Sequence, residues 1–269
     1  MDNSNRITLR LRGLDEDDGD VRLNEFAQQL DILKKALSET QKLVSDKPFA
    51  YFKIVELRQN SPAQIVLEAV PSKIEDGPKT QVLVDKFFFS LSEIDKGNFP
   101  EGFTYETFYA YKDLTSLREK KRLTEVVISR NGDNPSYLHD FSRNIEKIMG
   151  SDEFEFGAYT GMLEAINIHN QNVFYIYPAS HLPKLKCNFP NNLKNEAISA
   201  IGKYVTIYGN KKLKPNISAA VPYEMYVQEI EVHPDEDILP TLRELKGLSP
   251  NIINGTKSEH FIRGVRNEW

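Results

Sequence analysis

The segments VFYIY at residues 173–177, LKCNF at 185–189 and NNLKNEAISAI at 191–201 decide how we interpret the second half of this chain. The first two are short, rich in aromatic and β-branched residues, and flanked by turn-forming residues, which predicts two strands. We interpret the third as a helix. The same pattern extends outward, and further strands are predicted at 154–167, 204–214 and 223–232.

Three strands, a helix and two strands is the order of an OB fold, and residues 153–233 resemble that fold in topology. Gly157 and Gly161 fit a first strand that bends around a barrel. A β-sandwich with a similar number of strands is the alternative. The resemblance implies that the second and third strands, with their loops, form a binding face for single-stranded nucleic acid.

Aromatic and basic residues are placed as such a face requires. Tyr175 and Tyr177 share one side of the second strand, while Lys184 and Lys186 share one side of the third. Two more lysines, Lys211 and Lys212, precede the last strand. Tyrosines are also common in strands, and lysines at sheet edges, of proteins that bind no ligand.

The first half of the chain contains predicted helices as well as strands, and we predict an α+β fold. Residues 7–12 alternate apolar and polar side chains as a half-buried strand does, and Leu23, Phe26, Leu30, Leu33 and Leu37 form one stripe of a helix. Strands at 50–57 and 63–70 complete a β-α-β-β unit. Helices at about 80–94 and 105–121, a strand at 123–130 and a helix opened by Pro135 follow. The predicted domains are 1–150, 151–233 and a helical tail at 234–269.

Composition limits the classes of function. The chain has 269 residues, a formal net charge of -5 and a single cysteine, Cys187, which excludes an internal disulfide and a cysteine-cluster zinc site. No apolar run is long enough to cross a bilayer and the N-terminus lacks a signal-peptide pattern, so we predict a cytoplasmic protein without membrane contact. The negative charge argues against coating nucleic acid by bulk electrostatics.

Catalytic motifs are incomplete. Gly202-Lys203 is followed by Tyr204, which does not complete a phosphate-binding loop, and the five histidines have no metal-binding spacing. We therefore predict no metal, no cofactor and no catalytic residue, and interpret the chain as a non-catalytic binding protein. An enzyme that uses scattered carboxylates is an alternative.

The chain ends in a predicted amphipathic helix. Its apolar stripe and flanking arginines are Phe261, Ile262, Val265, Trp269, Arg263 and Arg266. Such a segment is typical of a helix that docks in a partner's groove, although it could also pack on its own barrel.

The last twelve residues, SEHFIRGVRNEW, resemble the toxin-binding tails of VapB-type antitoxins. The resemblance implies a PIN-type ribonuclease as the protein partner, with Arg263 or Arg266 entering its acidic metal site. The rest of the chain departs from that family, whose members are small and begin with a DNA-binding fold. Capture of a protein by the tail is the function predicted first, and binding of single-stranded nucleic acid by the barrel is the alternative.

Overall fold

A computed structural model describes most of the chain, which is divided into two compact units. Of the residues described, the first unit contains 5–155 and 211–223, and the second contains 156–210 and 224–234. The residues described are 5–59, 61–130, 133–136, 138–169, 171–179, 182–218 and 221–234. The predicted tail helix lies outside them, and the predicted domain boundaries stay a prediction.

The first unit opens with the predicted β-α-β-β order. Its elements are β1 (Arg6–Arg12), α1 (Leu23–Lys42), β2 (Ala50–Arg58), β3 (Ala63–Pro71), α2 (Gly77–Asp95), α3 (Tyr105–Lys112), α4 (Ser116–Glu119), β4 (Glu125–Arg130), β5 (Asp133–Ser136) and α5 (Phe141–Met149). The strands form an antiparallel sheet in the order β2-β3-β1-β4, to which the short β5 adds at the edge of β4.

The alternation along β1 builds the core of this unit. Ile7, Leu9 and Leu11 are fully buried and belong to one cluster with the apolar faces of the helices. Leu33 and Leu37 from the stripe of α1 belong to the same cluster. The apolar residues that recur with the strand period in β1 and with the helix period in α1 therefore pack together in one apolar layer.

Two helix predictions were wrong in their extent. The helix predicted at 105–121 is interrupted after Lys112, where the Thr115 hydroxyl donates to the Lys112 carbonyl oxygen at 3.1 Å and a 3-10 turn replaces the α-helix. The helix predicted to open at Pro135 begins at Phe141. Residues 133–136 pair with β4 instead, in an edge position where a proline is tolerated.

The second half of the chain forms a closed five-stranded barrel in the order β10-β8-β7-β6-β9. The β8–β10 pair is parallel, whereas β6–β7 and β7–β8 are antiparallel. This confirms the mixed α+β class and the five strands. The elements are β6 (Glu153–Asn167), β7 (Val173–Tyr177), β8 (Leu185–Asn188), α6 (Lys194–Ser199), β9 (Tyr204–Leu213) and β10 (Glu224–Val232).

Two glycines permit the close approach of neighbouring strands in the barrel. A Cβ atom on Gly161 of β6 would lie 2.5 Å from the Tyr177 carbonyl oxygen, and one on Gly209 of β9 would lie 2.0 Å from the Tyr226 carbonyl oxygen. Both distances are well below van der Waals contact, so any side chain here would force the strands apart.

Within the described residues, no helix is both long enough and apolar enough to span a membrane.

Candidate nucleic-acid interface

The pleat of β7 sends alternate side chains to opposite sides of the barrel wall. Phe174 and Ile176 are fully buried in the barrel core, and Tyr175 and Tyr177 are half-buried on the outer side. On β8, Leu185 and the single cysteine are likewise inside, which leaves Lys184 and Lys186 outside.

The strand register places outer side chains of neighbouring strands directly opposite one another. We call each such row of paired residues across the barrel a level. One level is Glu164 of β6, Tyr175 of β7, Lys186 of β8 and Glu224 of β10, because each of these residues is paired with the next in the register. The level on one side of it pairs Asn188 of β8 with Tyr226 of β10. We call the outer surface carried by these strands the β7–β8–β10 face, and define it by Tyr175, Tyr177, Lys184, Lys186, Asn188, Glu224 and Tyr226.

A carboxylate fixes the centre of the β7–β8–β10 face. Lys186 donates from Nζ to Glu224 Oε1 at 2.9 Å, and Asn188 donates from Nδ2 to the same oxygen at 2.9 Å. The hydrogen bond to Glu224 is the main reason that the pKa of Lys186 is raised. Lys186 is therefore charged at neutral pH, but Glu224 balances that charge locally.

Lys184 and Tyr175 form a second contact on this face. The Lys184 Nζ atom lies 5.0 Å from the centroid of the Tyr175 ring, within the range of a cation–π interaction. The Lys184 side chain is exposed, and the described residues offer it no ion pair. Its ammonium group is consequently available to a phosphate.

Tyr226 and Glu224 were missed in the sequence. Tyr226 is 44% exposed and stands on the same outer side as Tyr175. The alternation of β10, with Met225 and Val227 buried, could have placed both residues on an outer surface. The parallel pairing of β10 with β8, which joins them to the predicted tyrosines and lysines, is not visible in the sequence.

The other two predicted lysines lie near the end of β9, not on β7, β8 or β10. Lys211 and Lys212 belong to the first unit, where Lys211 Nζ lies 3.4 Å from Glu155 Oε1 and Lys212 Nζ lies 3.0 Å from Asp152 Oδ2. Since each is paired with a carboxylate, these lysines form a polar cluster of their own and are not counted in the β7–β8–β10 face.

The remaining predicted site residues fall outside the described part of the chain. These are the tail residues Phe261, Ile262, Arg263, Val265, Arg266 and Trp269.

Two observations concern metal-binding and thiol groups in the part of the chain that the structure describes. No group of three or more histidine, cysteine, aspartate or glutamate side chains there could hold a metal ion. Cys187 is fully buried in the barrel core, and burial raises the pKa of its thiol, which disfavours the reactive thiolate.

Comparisons with protein-family models, with curated proteins and with solved structures gave no match to this chain.

Proposed function

We propose that this protein binds single-stranded nucleic acid on the β7–β8–β10 face of an OB-type barrel. The strand order, the parallel β8–β10 pair and the helix between β8 and β9 support the OB assignment. The observation that carries the proposal is the placement of three tyrosines beside Lys184 and Lys186 on one outer surface. Tyrosine rings offer stacking platforms to bases of any sequence.

Stacking on Tyr175 requires that Lys184 moves off its ring. An exposed cation–π contact is worth about 0.5–1 kcal/mol, whereas a base that stacks on an aromatic side chain contributes about 1–3 kcal/mol. The exchange therefore favours the base. It also frees the Lys184 ammonium group to pair with the phosphate next to the stacked nucleotide.

The charges of the face predict that the affinity for single-stranded nucleic acid depends only weakly on the salt concentration. Glu224 pairs with Lys186, and Glu164 is exposed at the same level. One or two phosphates are therefore neutralised, mainly by Lys184. For single strands this corresponds to an affinity that falls about three- to seven-fold between 50 and 200 mM salt. Most of the binding free energy would come from stacking.

Fluorescence anisotropy with a labelled single-stranded oligonucleotide tests the proposal. Tyr175→Ala with Tyr226→Ala should lower the affinity by at least about ten-fold. The matched control is Tyr109→Ala, which removes an exposed tyrosine from the first unit. Absence of binding by the wild type, or equal losses in the double variant and the control, would overturn the proposal.

For the tail we propose a second function, capture of a protein partner by the stripe formed by Phe261, Ile262, Val265 and Trp269. Its support is the sequence pattern and the resemblance to VapB-type tails, which implies a PIN-type ribonuclease. Co-purification of a PIN-type ribonuclease with the full chain and with a chain that ends at Gly255 tests it. Equal recovery by both chains would overturn this second function.

A further inference from the structure

An exposed apolar strand lies at the edge of the first unit's sheet. β2 is terminal in the strand order, so no strand among the described residues pairs with its outer edge. Its apolar side chains are unusually open to solvent: Tyr51 is 54% exposed, Ile54 60% and Leu57 52%. A nine-residue edge of this kind is a template for pairing with another strand.

The register with β3 sorts the side chains of β2 between the two faces of the sheet. Val55 is the extra residue of a bulge, since Ile54 pairs with Leu67 and Glu56 with Val66. Counting past the bulge, one face carries the apolar residues Phe52, Ile54 and Leu57, opposite β3 residues that belong to the core or pack on it. The other face carries Tyr51, Lys53, Glu56 and Arg58.

This pattern is complementary to itself under a two-fold axis. If two β2 strands pair antiparallel with Ile54 opposite Ile54, and Val55 stays a bulge in each strand as it is against β3, then Phe52 faces Leu57 on the apolar side. On the polar side Lys53 faces Glu56 and Tyr51 faces Arg58. Opposite charges and aromatic–apolar pairs in directly opposed positions stabilise a sheet.

Other registers of the β2–β2 pair would also place apolar residues opposite apolar residues, but the two nearest of them are unfavourable. Moving the axis toward the start of the strand places Lys53 opposite Lys53. Moving it the other way places Glu56 opposite Glu56 and Lys53 opposite Arg58. Like charges in opposed positions are destabilising, so the charges of β2 select one register.

We propose that β2 is a homodimerisation edge, and that two copies of this chain join their sheets through antiparallel β2–β2 pairing centred on Ile54. The partner is a second copy because the same strand supplies both halves of each charge pair across the axis, in addition to the ion pairs that Lys53 makes with Glu68 and Glu56 makes with Arg58 within one chain. An interface of this type is isologous, as in most homodimers. The dimer buries the exposed Ile54 and Leu57 side chains and satisfies the free backbone groups of the edge.

Reversing the charge at position 53 or at position 56 tests the proposed pairing. Lys53→Glu leaves only acidic side chains at positions 53 and 56, and Glu56→Lys leaves only basic ones. Each variant alone should dimerise at least about ten-fold more weakly than the wild type, because both symmetric pairs become repulsive. An equimolar mixture of the two variants should form a heterodimer, since the two acidic positions of one variant then face the two basic positions of the other.

Sedimentation velocity of the full chain gives the readout, with circular dichroism to confirm that each variant folds. Lys34→Glu, at an exposed position on α1, is the control that should leave the dimer unchanged. A wild type that is monomeric up to about 100 µM overturns the proposal. So do charge variants that dimerise like the wild type, or a mixture of weakened variants that fails to associate.

Discussion

Replacing Asp152 with asparagine should remove a pH-dependent part of the stability of the first unit. Asp152 Oδ1 accepts from Tyr223 Oη at 2.7 Å and from Lys214 Nζ at 2.7 Å, and Lys212 Nζ lies 3.0 Å from Oδ2. Lys214 also donates to the Gly150 carbonyl oxygen at 2.6 Å. The carboxylate therefore links Lys212, Lys214 and Tyr223 to the chain that directly follows α5.

The pKa of Asp152 sets the size of the effect. Partial burial opposes ionisation, but the hydrogen bonds from Lys214, Tyr223 and Lys212 outweigh it and lower the pKa from 3.8 to about 2. A shift of this size corresponds to about 2 kcal/mol. Because the side chain is 30% exposed, solvent screening reduces the expected contribution to about 1 kcal/mol.

The sign of the pH dependence follows from the direction of the shift. A carboxyl whose pKa is lower in the folded state stabilises the fold above its ordinary pKa of 3.8, and the contribution is lost as the pH falls toward 2. The wild type should therefore be more stable than Asp152→Asn at pH 6, and the difference should shrink between pH 4 and pH 2.

Urea unfolding followed by circular dichroism at several pH values measures this difference. Asp31→Asn serves as the control, because Asp31 is exposed on α1 and has no ion pair with any residue that the structure describes. If the advantage over Asp152→Asn stays constant from pH 6 to pH 3, or if Asp31→Asn behaves identically, the hydrogen-bonded carboxylate is not the cause.

Two further predictions concern the cores. Gly161→Ala should destabilise the barrel by about 3 kcal/mol or prevent its folding, because the new methyl group meets the Tyr177 carbonyl oxygen. Gly77→Ala, where no atom lies within 4 Å of the added carbon, should be neutral or slightly stabilising; equal urea midpoints for both variants would refute this reasoning. Tyr111→Phe should cost about 1 kcal/mol, since its hydroxyl contacts Thr40 Oγ1 at 2.7 Å in a buried site. An unchanged free energy of unfolding would show that this hydrogen bond contributes no net stability.

Strands and helices with a strong hydrophobic period could be predicted from the sequence. β7 has the predicted bounds, and α1 lies where its leucine stripe indicated. The extent of the shorter helices could not be predicted, because it depends on competition with other structure. Leu138 shares the periodicity of α5 and is buried, but it adopts a positive φ of 54° outside the helix.

For the candidate site, the sequence could predict which side chains of one strand share a face, but not which strands lie next to each other. The outer placement of Tyr175 and Lys186 follows from a period of two, which neighbouring residues reveal. The contribution of Tyr226 depends on a parallel pair between strands far apart in the chain. Lys212 pairs with Asp152, which lies far from it in the chain, and no local pattern encodes such a contact.

Photo-cross-linking of a single-stranded oligonucleotide to the full chain, with the modified peptides identified by mass spectrometry, would locate the binding surface. We expect cross-links at Tyr175, Tyr177 or Tyr226. Cross-links confined to residues 211–218 or to the sheet of the first unit would contradict nucleic-acid binding on the β7–β8–β10 face.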